Sequence, residues 1–142
     1  MNDDVRDDLG LVSRELLAFA HQTLSRYGAF LPFAAAVGLT GDLQLVAAQS
    51  EDPDASSLLE DLYRQLQQQA QAGAVRAAGV CYEVTLAEPM EDGHDAVAMN
   101  LEHAAGPAMR CLVPYRRESD GWAFGRAEAA PAVSRLFNGS PP

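Results

Sequence analysis

Between Asp7 and Tyr27 the apolar side chains return at the spacing of a helix. Leu9, Val12, Leu16, Ala20, Thr23 and Tyr27 fall on one stripe, Phe19 and Leu24 on its flanks, and Arg14, His21 and Ser25 opposite. Asp3, Asp4, Asp7 and Asp8 suit the positive end of that helix, and Gly28 suits its terminator. The pattern then becomes strand-like. In "FLPFAAAVGLTGDLQLVAAQ", residues 30–38 and 43–49 read as a hairpin turning at Thr40-Gly41-Asp42, where Gly41 can take a positive φ. Pro32 has no N–H to give and belongs at the start or edge of its strand. Ala34, Ala35, Ala36 and Gly38 leave room for a helix, or a second subunit, to come close.

A second helix is expected over 51–73, "EDPDASSLLEDLYRQLQQQAQAG". It starts at Asp52-Pro53 or at a Ser57/Glu60 capping box, buries Leu58, Leu59, Leu62, Leu66 and Ala70, and stops at Gly73. The glutamines of 65–71 then lie mainly on its solvated side. Strands follow at about 79–87, 96–104, 109–116 and 122–127, separated by "EPMEDGHD", "AAGP" and "RESDG". One helical turn is expected at Val133–Phe137. The reading is one α+β domain over 1–142, frayed over about 1–6 and about 128–142. Its order is α-β-β-α-β-β-β-β, an antiparallel sheet of five to six strands with both helices on one face.

Strand alternation sorts the side chains. Setting Cys81 opposite Glu102, and Glu102 opposite Arg110, gathers Val80, Tyr82, Val84, Leu86, Val97, Met99, Leu101, Cys111, Val113 and Tyr115 on a core side. The other side carries Cys81, Glu83, Thr85, Asn100, Glu102, Arg110 and Leu112, with Ala98 and Pro114 among them. Those seven form the candidate interaction surface, mixing a thiol, a hydroxyl, an amide, carboxylates, a guanidinium and an exposed leucine. The cysteines point to opposite faces and form no disulfide. Glu102 and Arg110 pair across the strands.

Charge narrows the partners. The chain carries 20 acidic and 10 basic residues, net −10, and every base is arginine. Such a surface is repelled by phosphate backbones and anionic lipid, so neither nucleic acid nor membrane is expected. No apolar run reaches the ~18 residues of a membrane span. The acidic start, "MNDDVRDDLG", is unlike a secretory signal, and two cysteines without export signals fit a reducing cytoplasm.

Candidate chemistry is sparse. His94 sits among Glu91, Asp92 and Asp95, without the alternating ligands of a calcium loop. No C-x-x-C, HExxH, G-x-G-x-x-G or G-K-[ST] occurs, so no metal, cofactor or nucleotide is expected. Cys81 and His103 fall on opposite faces, and His103 caps the core edge. Glu83 and Glu102 share a face but lack desolvation to separate their acidities. Phe30, Pro32 and Phe33 read as core, and Trp122 as a core or edge aromatic.

The element order resembles the roadblock and profilin-like α+β sandwiches. "FLPFAAAVGLTGDLQLV", an aromatic-x-Pro-Phe strand leading to a Gly-Asp turn, resembles a family of small uncharacterised bacterial proteins. That resemblance implies no catalytic residue. The expected function is a non-catalytic interaction or regulatory module that self-associates as a homodimer. The alternatives are an acidic inhibitor or immunity-type protein for a basic partner, and a small-molecule sensor using a cleft between helices and sheet.

Overall fold

The fold was obtained as a computed structural model that describes residues 2–90 and 93–137, the side chains of 87–90 and 93–94 excepted. Its elements are α1 (Asp3–Tyr27), β1 (Phe33–Gly38), β2 (Leu43–Ala47), α2 (Ala55–Gln71), β3 (Val75–Met90), β4 (Gly93–His103), β5 (Ala108–Glu118), β6 (Gly121–Phe124) and β7 (Glu128–Pro131). The protein is α+β, and the expected order holds through β6. All strand pairs are antiparallel, in the order β2-β1-β3-β4-β5-β6, and β7 adds to β5. No helix among the described residues is long and apolar enough to cross a membrane.

Helix ends follow local chemistry. The Asn2 side chain accepts a 2.9 Å bond from the Val5 N–H and starts α1 earlier than its apolar stripe requires. Gly28 ends it at φ 78°, a conformation other residues adopt at a cost. Asp54, rather than Asp52 or Ser57, caps α2 by accepting from the Ser57 N–H at 3.2 Å. Val5 is buried, so the N-terminus is ordered sooner than expected.

Each helix takes its own face of the sheet. Leu9, Val12, Leu16, Ala20 and Leu24 of α1 cover Phe33, Ala35, Val37, Cys81, Val97, Met99 and Leu101. On the reverse side, Leu62, Tyr63 and Leu66 of α2 cover Ala34, Ala36, Ala78 and Val80. This overturns the expectation of both helices on one face. The reason lies in β1, whose alternating alanines enter both clusters and let a helix approach from either side. At Gly79 a Cβ would lie 2.7 Å from Leu101, 2.8 Å from Val12 and 2.9 Å from Leu16, which marks how closely α1 presses on the sheet.

The register also corrects the expected faces. Cys81 lies opposite Met99, not Glu102, and Glu102 lies opposite Ala78 and Ala108. Asn100, not Glu102, faces Arg110. On β4 and β5 the expected faces survive, because their offset is even. On β3 the offset is odd, and its two sides exchange. Val80 and Tyr82 therefore turn to α2, while Cys81 and Glu83 turn to α1. The cysteines now share a face but sit on strands separated by β4, and both are free. A strand spacing of about 4.8 Å puts two such positions beyond disulfide reach.

The tail departs from expectation too. Residues 128–131 form β7 against β5, with Met109 opposite Pro131. Leu136 is buried against the α2 side, so this segment packs rather than frays.

Candidate functional site

The seven residues expected to share one surface are divided between the two faces. Cys81 is fully buried under α1, and burial pushes its thiol far above its usual range, removing the thiolate a nucleophile needs. Glu83 accepts a 2.7 Å bond from the Phe30 N–H. Thr85 donates to Asp95 at 3.3 Å. On the α2 side, the Asn100 amide donates to the Tyr63 hydroxyl at 3.0 Å and the Tyr82 hydroxyl at 3.3 Å. Arg110 is exposed and Leu112 half-buried. Glu83 and Glu102 do not meet.

Glu102 is buried, and its carboxylate holds the tail. One oxygen accepts from the Ser134 hydroxyl and, at 2.9 Å each, from the Arg135 and Leu136 N–H groups. The Arg135 guanidinium lies 3.7 Å over the Tyr63 ring. A carboxylate that receives three donors offsets most of the cost of its burial.

Under α1 a second polar cluster closes the core edge. The Arg76 fork bonds Asp8 at 2.9 and 3.0 Å, and His103 Nε2 lies 2.9 Å from the same carboxylate. His103 Nδ1 accepts from the Ala105 N–H, so Nε2 carries the ring proton toward Asp8. Burial pushes the Asp8 carboxyl up, but hydrogen bonds from Arg76 and His103 outweigh it and hold the group below its usual 3.8. Both Asp8 oxygens and both His103 ring nitrogens are engaged, as in a structural rivet. No buried side-chain nitrogen or oxygen among the described residues lacks a partner. No group of three His, Cys, Asp or Glu among them could hold a metal ion. Two members of the acidic turn, Glu91 and Asp92, lie outside the described residues.

The open feature lies where α1 meets β1. Tyr27, placed on the helix's buried stripe by periodicity, is 72% exposed, and Phe19 and Leu31 are 38% and 63% exposed. Along this side runs a groove of about 810 Å³. One wall is Phe19, Tyr27, Phe30, Leu31 and Phe33; the other is Ala47, Ala48 and Leu58. The Phe19 and Phe33 rings are 4.8 Å apart, and Phe30 meets Phe33 edge-on at 5.8 Å. Among the described residues, Arg26 is the one charged side chain in the lining. Glu83 stands behind this wall, its bond to the Phe30 N–H fixing the backbone that presents Leu31.

Beyond Ser50 the groove meets a second hollow of about 440 Å³, bounded by Asp52, Glu60, Asp61 and Arg64. The Gln49 N–H, at 2.7 Å, and the Gln65 amide, at 2.8 Å, both donate to Asp61 and hold its carboxyl below the usual range. Gln65 also donates to the Ala47 carbonyl at 3.1 Å, covering one end of the β2 edge. An apolar trough thus continues into an acidic ledge.

Sequence reasoning placed Phe30 and Phe33 in the core, which is right, and missed the groove they wall. The available signal was excess: Tyr27, Phe30, Leu31, Pro32 and Phe33 crowd a short connection that needs no such apolar area. No family model, curated protein or solved structure matches this chain, so its site is read from its own geometry.

Proposed function

We propose that the protein is a cytoplasmic, non-catalytic interaction module that binds an apolar segment of a protein in the groove between α1 and the β1–β2 hairpin. The observation that carries this reading is the cluster of exposed Phe19, Tyr27 and Leu31 on a mainly apolar trough whose polar lining is Gln22, Thr23, Arg26 and Ser50. A soluble surface seldom gathers such residues without a partner. The groove's volume falls within the range of small-molecule sites. Its rim is too exposed to enclose a small ligand, which favours a polypeptide over a metabolite.

Self-association through an open sheet face loses its basis, since α1 covers one face and α2 with the tail covers most of the other. The groove is the exposed apolar surface a second copy would use. Titration with an anilinonaphthalene dye tests the trough directly. The double variant Tyr27→Ala/Leu31→Ser should lose most of the fluorescence gain while melting with the wild type. An unchanged gain would place the apolar surface elsewhere. Sizing at tens of micromolar separates the occupants: a dimer abolished by the same variant identifies a second copy, and a monomer identifies another protein.

A further inference from the structure

Resting on that reading of the groove, we infer that its occupant is a basic segment of another protein, one that alternates apolar residues with arginine or lysine. Three observations converge on this chemistry. The trough takes apolar side chains but is lined by the aromatic residues Phe19 and Tyr27, whose rings also attract guanidinium and ammonium groups. It opens at Ser50 onto the ledge of Asp52, Glu60 and Asp61, where Arg64 lies 3.5 Å from Asp61 and Arg135 lies 3.5 Å from Glu60, so three carboxylates meet two guanidinium groups and the ledge keeps a net negative charge. The Asp61 carboxyl is held in its charged form by two donors, so the ledge stays anionic at neutral pH. The whole chain, at net −10, adds a general attraction for cationic partners. A second copy fits badly, because it would bring one strongly acidic molecule against another.

An extended segment suits the site better than a bulky domain. β2 is the outermost strand on this side, and its Leu45 is 48% exposed beside the trough's hairpin wall. A chain running along the hairpin would drop alternate side chains toward the trough and hold the others over the ledge. Arg26 in the trough opposes a cation, as Arg64 does on the ledge, and together they tune where along the groove a basic side chain can sit.

Two fluorescent peptides test this by anisotropy with the full chain: one alternating leucine and arginine, one alternating leucine and serine. The expected result is that the arginine peptide binds at least about tenfold more tightly at low salt, and that this advantage collapses by about 0.5 M salt. Glu60→Gln/Asp52→Asn, which keeps the cap geometry, should shrink the advantage, while Tyr27→Ala/Leu31→Ser should weaken both peptides. Equal affinity for the two peptides overturns the basic partner and leaves the groove reading standing. Binding of the arginine peptide that ignores the Tyr27 and Leu31 changes overturns both, since it reports diffuse charge attraction alone. Failure of both peptides to bind also overturns both.

Discussion

The two faces of the sheet are built on different principles. Under α1 the core is continuous and apolar from Val5 to Leu24, with its polar rivet of Asp8, Arg76 and His103 confined to one edge. Under α2 the helix is shorter, and the gap beyond it is filled by a tail, an amide–phenol network and the Glu102 carboxylate. The first face derives its rigidity from packing density, the second from directional bonds. Truncating apolar side chains should therefore hurt the α1 face more, and removing charges should loosen the α2 face locally.

The largest effect is expected at Leu16, fully buried where Gly79 lets α1 press on the sheet. Leu16→Ala should cost about 4 kcal/mol, because its rigid surroundings cannot collapse into the void. Leu62→Ala, equally buried under α2, should cost about 3 kcal/mol, since the neighbouring tail can relax. Urea midpoints at constant slope measure both. The reverse ranking would make the α2 side the stiffer one.

Next comes the rivet. Asp8→Asn leaves Arg76 and His103 short of an acceptor and should cost about 2 kcal/mol at neutral pH. The acid side of the stability curve should change with it. Because the folded carboxyl is held below 3.8, its contribution is complete above that pH and is lost as the pH falls through the lower folded value. Wild type should therefore lose stability faster than Asp8→Asn below 3.8; parallel curves would show that another group governs acid unfolding.

A smaller and local effect is expected at Glu102. Glu102→Gln weakens three bonds to the tail and should cost about 1 kcal/mol. Its sharper sign is faster hydrogen exchange at the Arg135 and Leu136 amides, with the core amides of β4 unchanged. Exchange that rises everywhere would mean the tail is integral to global stability. The smallest effect is chemical. A maleimide should label Cys81 only as fast as the protein opens, since the thiol is wholly buried and resists ionisation. Rapid labelling in native buffer would contradict the packing of α1.

Much of the fold was legible, and the failures have physical causes. Helix positions followed from the apolar stripes, and Gly28 and Gly73 ended the helices and Gly41 turned the hairpin at positive φ, as their backbones required. The β4 and β5 faces were correct because Val97, Met99 and Leu101 alternate with less apolar neighbours. β3 was misread because Ala77, Ala78, Val80 and Cys81 are buried on both sides, so no alternation selects a face. The same logic, applied to Phe33–Val37, was the missed clue that helices lie on both faces. Asp8 with His103, and Glu102 with the tail, were illegible for another reason: they join residues far apart in sequence, and only the tertiary fold brings them together. Tyr27 misled because a stripe can outrun the surface it packs on.

The short strand β1 shows what such an arrangement demands. Ala34, Ala35 and Ala36 are each at most 3% exposed. A single methylene added at Ala35 would push against α1, and one added at Ala34 or Ala36 against α2. The two hydrophobic layers therefore share one thin partition with no slack. A strain introduced in either layer must be felt in the other, and the hairpin wall of the groove is the place where that shared partition reaches the outside.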